Sequence, residues 1–298
     1  MQLTTCPICG DSHADREIYP ANFRPEDLTA EVFSARRLPD RLHYRMVRCG
    51  ACGLLRSSPI LPSEELMRLY AGSRFTYGGE ADFARRTYGR YLRRALSWTK
   101  ARDALLEIGC GSGFFLEEAL QSGLREVAGV EPSADAVSHA REGIRSRIRP
   151  GLYESATFPA GSFDVICAFQ VFDHVPDPGE MLRAAHRHLR DGGVALFVNH
   201  DAGGLLNRLL GEASPIVDVE HTVLFDKRTM RRILERCGFT VRDMFTVRNT
   251  YPLNYWMHLA PIPRALKARL HSLLERSALG GIPITLAAGN LGAVATKG

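Results

Sequence analysis

Four of the seven cysteines fall into two closely spaced pairs, a pattern typical of a metal site. Cys6 and Cys9 lie in the segment CPICG, and Cys49 and Cys52 lie in CGACG. In each pair a tight turn directs two thiolates at one point, and the following glycine lets the backbone fold beneath it. Two such turns supply the four soft ligands of a tetrahedral zinc ion, with no open position, so we expect a structural zinc. A redox pair and a metal-free turn are the alternatives.

Three glycines at alternating positions form a second motif, in the segment EIGCGSGF. Gly109, Gly111 and Gly113 follow an apolar run that predicts a buried strand, and they precede an amphipathic segment that predicts a helix. Glycines at such a junction let the backbone turn sharply and approach a ligand closely. Phe114 stands where the G-x-G-x-x-G motif of dinucleotide-binding proteins has its last glycine, and the G-K-[ST] of a triphosphate-binding loop is missing.

Two acidic residues beside this loop indicate the class of ligand. Glu131 lies 22 residues after Gly109, at the end of the next predicted strand. A carboxylate in that position can accept two hydrogen bonds from a ribose diol. Glu107 adds a negative charge that would oppose a pyrophosphate but suits a cationic methionine group. Together they favour an adenosine-containing cofactor that lacks a diphosphate.

The elements that must position these residues alternate between strand and helix from residue 103 onward. Strands are predicted at 103–108, 125–130, 163–169, 193–199, 239–247 and 284–297, with a poorly defined one near 144–150. Helices are predicted at 63–72, 80–99, 113–122, 134–142, 178–190 and 227–237. This alternation predicts an α/β fold with a doubly wound, mainly parallel sheet.

The composition is that of an ordinary globular chain. The 298 residues are 45% hydrophobic and 24% charged, with a net charge of +5. No apolar run approaches the ~18 residues of a membrane span, and no basic segment followed by an apolar one predicts a secretory signal, so we expect a cytoplasmic protein without membrane insertion. The scattered, mild basic excess makes nucleic acid an unlikely partner. We predict a zinc-binding module at 1–62, a helical connector and lid at 63–102, and a catalytic domain at 103–298.

Several segments resemble class I S-adenosylmethionine-dependent methyltransferases. The glycine loop at 105–116 and the acidic segment at 127–133 are similar to two motifs of that family, and the similarity extends through FDVI at 163–166 and LRDGG at 189–193. The resemblance covers about 103–248. It implies a Rossmann-like, seven-stranded sheet and S-adenosylmethionine as the cofactor.

The same resemblance implies roles for individual residues. The methionine end of the cofactor would contact Glu107, Gly109 and Gly111, and the ribose would bind Glu131. Tyr153 and Glu154 would flank the adenine, and Phe169 and Gln170 would line the sulfonium side. The full set of predicted cofactor-binding residues is Glu107, Gly109, Cys110, Gly111, Gly113, Glu131, Pro132, Tyr153, Phe169 and Gln170.

Methyl transfer to a hydroxyl requires a base that removes the proton. The carboxyl ends of parallel strands are where such sheets bind ligands, so residues just beyond the strands are the candidates. Asp173 and His174 follow the strand at 163–169, and His200 follows the strand at 193–199. His221 lies after the latter strand and before the helix at 227–237.

A further resemblance concerns the segment SPIVDVEHTVLF at 214–225. It is similar to the segment around the Glu-His pair of deoxysugar C-methyltransferases, which also carry two C-x-x-C turns at the N-terminus and an aromatic segment like that at 69–77. This resemblance implies His221 as the base, Glu220 as its neighbour in substrate binding and Tyr77 as a pocket residue. The chain departs from that family in having Asp218 where a tyrosine is expected and only about 50 residues after position 248.

We therefore predict a methyltransferase acting on a small hydroxylated acceptor, most simply a sugar or glycoconjugate. The predicted catalytic residues are His221, Glu220 and His174, and the predicted substrate-binding residues are Tyr77, His200 and Asp218. One alternative is an rRNA or tRNA methyltransferase whose zinc module binds RNA. Another is a non-catalytic binding protein on a methyltransferase scaffold. The oligomeric state is left open.

Overall fold

The protein is represented by a computed structural model that describes residues 1–11, 14–24, 27–29, 32–33, 41–72, 80–259, 274 and 277–298. The helices of the described residues are α1 (Ser63–Ala71), α2 (Glu80–Ala95), α3 (Phe114–Gln121), α4 (Ala134–Ser138), α5 (Glu142–Arg145), α6 (Pro178–His188), α7 (Leu205–Leu210), α8 (Lys227–Arg236) and α9 (Leu253–Leu259). The strands are β1 (Asp15–Tyr19), β2 (Met46–Cys49), β3 (Leu55–Ser57), β4 (Ala104–Ile108), β5 (Glu126–Glu131), β6 (Ile148–Pro150), β7 (Phe163–Phe169), β8 (Leu189–His200), β9 (Val223–Leu224), β10 (Phe239–Pro252) and β11 (Pro283–Lys297).

The larger sheet has seven strands in the order β10-β11-β8-β7-β4-β5-β6. Strand β11 is antiparallel to both of its neighbours, whereas the pairs from β8 to β6 are parallel. The α/β fold with a doubly wound, mainly parallel sheet is therefore confirmed. All residues of β4 and β7 are buried, as expected for central strands that are covered on both faces.

Helix boundaries follow the capping residues of the sequence. Helix α6 begins at Pro178 because the side chain of Asp177 accepts a hydrogen bond from the backbone N–H of Glu180. Helix α8 begins after Asp226. The Asp226 side chain accepts the backbone N–H of Thr229, and the Thr229 hydroxyl oxygen accepts the backbone N–H of Asp226. Among the described helices, none combines the length and the apolar character needed to span a bilayer.

Three predicted elements differ from the structure. The α-helix predicted at 80–99 ends at Ala95 and continues as a 3-10 turn, Leu96–Trp98. The helix predicted at 134–142 ends at Ser138, and a second short helix, α5, begins at Glu142 after Arg141, whose backbone is extended. The strand predicted near 144–150 is only β6, since Ile144 belongs to helix α5.

A second, four-stranded antiparallel sheet has the order β1-β2-β3-β9. Its first three strands come from the N-terminal part of the chain, where Cys49 is the last residue of β2, but β9 comes from a distant part of the chain. Leu55 pairs with Leu224 and Arg56 with Val223. The domain division at 62 and 102 stays a prediction, and this strand pairing crosses the first of its boundaries.

A buried carboxylate joins the starts of three elements of the larger sheet. Asp164 in β7 is 2% exposed, and its Oδ2 accepts the backbone N–H groups of Asp103 at 2.8 Å and Ala104 at 3.0 Å. Arg190 in β8 donates to both carboxylate oxygens at 2.9 Å. The side chain of Asp164 thus ties β4, β7 and β8 together at the end of the sheet away from their carboxyl ends.

We expect Asp164→Ala to lower the free energy of unfolding by about 3 kcal/mol, since two buried N–H groups and a guanidinium lose their acceptor. Urea denaturation would measure the loss. The matched control is Asp103→Ala, because the Asp103 side chain makes an exposed ion pair with Arg125, worth below about 1 kcal/mol. Equal midpoints for the two variants would contradict the assigned role of Asp164.

Candidate functional site

A single cavity of about 1750 Å³ runs along the carboxyl ends of β4, β5, β7 and β8. Its volume exceeds the ~300–1,000 Å³ typical of a site for one drug-sized ligand, so it can hold two molecules side by side. Gly109 and Gly111 line one end, and His174, His200 and His221 line the other. The position at the strand ends agrees with the general rule for open α/β sheets.

The glycine loop connects β4 to α3 in a conformation that other residues adopt poorly. Gly109 and Gly111 have φ values of 69° and 54°. A Cβ atom on Gly109 would lie 2.5 Å from the side chain of Val171, so the loop after β7 leaves no room for one. Gly113, in contrast, does not line the cavity; it begins helix α3 with φ 72° and packs against Ile144.

Two buried carboxyl groups lie beside the loop. Glu131 at the end of β5 accepts the backbone N–H groups of Gly111 and Ser133, each at 2.8 Å. Glu107 is 3% exposed, and among the described residues its Oε2 has no hydrogen-bond partner. Burial, and then the charge of Glu131, raise the pKa of Glu107 well above its usual range. A positively charged ligand at this end of the cavity would offset that cost.

The backbone is strained where β7 enters the cavity. Gln170 has a φ of 57°, which is unusual for a residue other than glycine. Its Oε1 is buried without a hydrogen-bond partner among the described residues. Phe169, which precedes it, stacks on Tyr88 with ring centroids 4.1 Å apart. Strain of this kind costs about 1–3 kcal/mol and is common at ligand-binding sites.

The remaining predicted cofactor residues line the cavity beyond β5 and β6. Pro132, Cys110, Tyr153 and Glu154 all contribute to this wall. The hydroxyl of Tyr153 lies 2.7 Å from Nδ1 of His188, and burial raises the pKa of Tyr153. This hydrogen bond fixes the tyrosine ring at the cavity edge.

Three histidines from separate parts of the chain meet at the opposite end. The ring centroids of His174 and His221 are 4.6 Å apart, and those of His200 and His221 are 4.4 Å apart. Asp173 lies beneath them with no exposed surface, and His200 Nδ1 donates to its Oδ2 at 2.8 Å. One ligand atom from each of these four residues lies within 4.8 Å of the other three.

The three imidazoles have different protonation behaviour. Burial lowers the pKa of His174 to about 4, despite the adjacent charge of Asp173. Burial would also lower the pKa of His221, but the carboxylate of Asp218, 3.3 Å from its Nδ1, raises that pKa to about 9. The pKa of Asp173, which burial alone would raise, is held below its usual range by His174 and His200.

A tyrosine outside the predicted set contacts this cluster. The hydroxyl of Tyr70 lies 3.3 Å from His174 Nδ1 and donates to the backbone carbonyl of Glu220 at 3.1 Å. Tyr77, the residue predicted from the same aromatic segment, lies outside the described residues. Glu220 and Asp218 line the cavity, and the backbone N–H of Glu220 donates to Asp218 Oδ1 at 2.7 Å.

The N-terminal cysteines converge as their spacing predicts. Cys6 Sγ is 3.4 Å from Cys52 Sγ, Cys9 Sγ is 3.4 Å from Cys49 Sγ, and all four sulfur atoms lie within 4.8 Å of one another. These separations are too long for disulfides and match the ~3.8 Å between thiolates at ~2.3 Å from a tetrahedral zinc. In both turns the glycine after the pair donates its N–H to the carbonyl of the first cysteine at 2.8 Å.

The cysteine cluster is joined to the histidine cluster through β3 and β9. The backbone N–H of Ser57 donates to the carbonyl of Thr222 at 2.8 Å, and Ser57 Oγ donates to the carbonyl of His221 at 3.3 Å. From the other side, Arg228 in α8 donates to the carbonyl of Cys52 at 3.0 Å. The position of His221 therefore depends on the sheet that carries the cysteines.

Curated relatives share the central part of the chain. Two are ubiquinone biosynthesis O-methyltransferases: that of Escherichia coli O6:H1 is 28% identical over 158 residues, covering 51% of this chain and 65% of the relative. That of Caulobacter vibrioides is 38% identical over 112 residues, covering 36% of this chain and 42% of the relative. The chain thus spans less than two thirds of the length of either relative.

Solved structures share the fold. The YcgJ protein of Bacillus subtilis superposes with a TM-score of 0.51 and 19% identity, covering 71% of this chain and 98% of that one. A putative methyltransferase from Bacillus halodurans C-125 gives a TM-score of 0.51 and 17% identity, covering 73% of this chain and 99% of that one. The family model described as "Methyltransferase domain" matches residues 81–243, which is more than half of the chain. The chain therefore belongs to the methyltransferase domain family.

Proposed function

We propose that this chain transfers the methyl group of S-adenosylmethionine to a hydroxyl group of a small acceptor, with sugars, glycoconjugates and related natural-product intermediates as the acceptor class. The observation that carries the proposal is the single cavity that joins the glycine loop to a buried cluster of three histidines. Membership of the methyltransferase family supports methyl transfer. Relatives named O-methyltransferases support oxygen as the receiving atom.

The glycine-loop end of the cavity fits the proposed cofactor. When bound, S-adenosylmethionine supplies a methyl group on a positively charged sulfur. Glu107 would interact with the cationic methionine end, because its buried carboxyl has an oxygen without a hydrogen-bond partner among the described residues. Glu131 would bind the ribose, since a carboxylate that accepts two N–H groups can accept further hydrogen bonds. Phe169 and Gln170 would line the sulfonium side.

At the other end we assign proton removal to His221. Its Nε2 has no hydrogen-bond partner within the described chain, and Asp218 on the Nδ1 side orients the ring. The bound cofactor would supply the methyl group to the acceptor oxygen, and Nε2 of His221 would take the hydroxyl proton. A nearby sulfonium would lower the raised pKa of His221 towards neutrality, because like charges disfavour each other. His174, His200 and Glu220 would bind the acceptor around it.

We also propose that Cys6, Cys9, Cys49 and Cys52 hold one structural zinc ion. The support is the convergence of the four sulfur atoms within 4.8 Å of one another and the matching backbone of the two turns. The burial of three of the four cysteines agrees with a closed site. Through β3 and β9 the zinc would stabilise the loop that carries His221.

Cofactor binding is tested at the glycine loop. We expect Gly111→Arg to weaken the binding of S-adenosylhomocysteine about tenfold or more, measured by calorimetry, because a long side chain would occupy the cofactor end of the cavity. The matched control is Gly123→Arg, since Gly123 also has a positive φ of 95° but lies on an exposed turn with nothing within 4 Å of its Cβ position. Equal affinities for the two variants would refute the loop assignment.

The role of His221 is tested by substitution. We expect His221→Ala to keep the affinity for S-adenosylhomocysteine but to lower turnover with a hydroxylated sugar acceptor by ~10²-fold or more. His139→Ala is the control, because His139 is exposed and does not line the cavity. Turnover of His221→Ala equal to that of the control would move proton removal to another residue.

Zinc binding is tested through the thiolates. An organomercurial that titrates the cysteines should release about one zinc per chain, detected with a zinc-sensitive dye. Cys9→Ser should lower this release and also lower turnover more than cofactor affinity, since the sheet that holds the His221 loop loses its anchor. Cys237→Ser, at a lone buried cysteine, should release zinc as the unmodified chain does. A folded chain that releases none would remove the zinc assignment.

A further inference from the structure

We propose that Asp173, His174 and His200 form a second metal site, which holds a divalent transition-metal ion at the acceptor end of the cavity beside His221. This inference deepens the proposed function and rests on it for its catalytic meaning. The site itself is argued from the geometry of the cluster, which is separate in space and in ligand type from the four cysteines.

The spacing of the potential ligand atoms fits one ion. His174 Nε2 lies 3.7 Å from Asp173 Oδ1, and His200 Nδ1 lies 2.8 Å from Asp173 Oδ2. Ligands bound at ~2.0–2.2 Å to one ion are separated by roughly 3–3.6 Å. Small side-chain rotations would therefore bring two imidazole nitrogens and one carboxylate oxygen around a common point.

An unsatisfied buried oxygen points to a ligand at this place. Asp173 is fully buried, and its Oδ1 has no hydrogen-bond partner in the described part of the chain. Leaving such an oxygen without a partner costs about 1–3 kcal/mol or more for a charged group. A cation bound to this oxygen would offset the cost, in place of a hydrogen-bond donor.

The outer partners of the cluster orient the rings as a metal site requires. The hydroxyl of Tyr70 lies on the Nδ1 side of His174, which leaves Nε2 directed at Asp173. Metal-bound histidines characteristically use their second nitrogen in this way, which sets the ring orientation and the tautomer. Asp173 is itself held in place, because its carbonyl accepts the N–H of Thr222 at 2.9 Å.

His221 is assigned a different role from the other two histidines. Asp173 is in direct contact with His174 and His200, whereas the carboxylate nearest to His221 is Asp218. Two imidazoles and one carboxylate leave coordination positions open for a ligand. An ion there would bind the acceptor oxygen and make its hydroxyl more acidic, and His221 Nε2 would receive the proton.

The ligand set selects the class of ion. Imidazole nitrogen suits Zn²⁺, Fe²⁺, Co²⁺ and other first-row ions, whereas Mg²⁺ and Ca²⁺ prefer oxygen ligands throughout. The open positions also agree with the cavity, since His174 and His200 line it directly. The chemical class is therefore a first-row divalent metal rather than a hard alkaline-earth cation.

The test uses the full chain with its cysteines already loaded with zinc, titrated with Co²⁺ alone. We expect one further equivalent to bind and to give the weak absorption of a nitrogen and oxygen site, without the intense thiolate charge-transfer band. His200→Ala should weaken this binding by more than the ~10–100-fold that loss of an outer partner costs. Tyr70→Phe should weaken it about tenfold. The control His139→Ala should bind Co²⁺ as the unmodified chain does.

Folding and function are separated by two further measurements on each variant. Retained affinity for S-adenosylhomocysteine, and retained release of zinc by the organomercurial, show that the chain is folded. A folded His200→Ala that binds Co²⁺ as tightly as the control would overturn the site. Loss of Co²⁺ binding in a folded His221→Ala would contradict the assignment of His221 as the base, because it would show that His221 is a metal ligand. Co²⁺ binding without methyl transfer would leave the site standing and refute the proposed function instead.

Discussion

The loops of the acceptor end are joined at one buried residue, Asp173. Its carboxylate accepts the backbone N–H of His200 at 3.2 Å and the imidazole of the same residue at 2.8 Å. Its backbone carbonyl accepts the N–H groups of Thr222 and Val223 at 2.9 and 3.2 Å. The loop after β7, the end of β8 and the segment before β9 therefore have fixed positions relative to one another. The hydrogen bonds of Asp173 thus connect the segments that carry His174, His200 and His221.

The constraint extends from Asp173 to the N-terminal sheet. Thr222, which is bonded to Asp173, also accepts the N–H of Ser57 in β3, and β3 adjoins the turn that carries Cys49 and Cys52. The cysteine cluster and the histidine cluster are thus two ends of one hydrogen-bonded path. Among the described residues, the strands before residue 63 join the smaller sheet and not the larger one. The physical effect of the smaller sheet is to hold the segment that carries His221.

Features that depend on local spacing could be predicted from the sequence. The glycine loop, Glu131 and the paired cysteines lie within short segments whose residue types dictate the turn, and the alternation of apolar segments dictates the parallel sheet. The break between α4 and α5 at 139–141 was not predicted, because these three residues include no glycine or proline. The pairing of β9 with β3 was not predicted either, because a strand of two residues is too short to show a hydrophobic periodicity.

The histidine cluster shows most clearly what could not be predicted from the sequence. His174 and His200 could be placed at strand ends, because the carboxyl ends of parallel strands share one edge, whereas His221 was indicated by the family resemblance. Their convergence on Asp173 depends on contacts between loops about 27 and 48 residues apart in sequence, which no local pattern encodes. The same holds for Tyr70, which contacts His174 across 104 residues. The positive φ of Gln170 likewise has no signal in its residue type.

The two ends of the cavity differ in how burial and neighbouring charges affect their titratable groups, and this difference links cofactor binding to proton removal. At the glycine loop, burial and the neighbouring Glu131 oppose ionisation of Glu107, so a cationic ligand is the one that gains most there. At the other end, Asp218 raises the pKa of His221 to about 9 despite its burial, whereas burial lowers the pKa of His174 and of His200. A sulfonium bound nearby would disfavour the charged imidazole of His221 and favour release of its proton. Cofactor binding at one end would therefore supply, at the other, the neutral imidazole that can accept the proton of an acceptor hydroxyl.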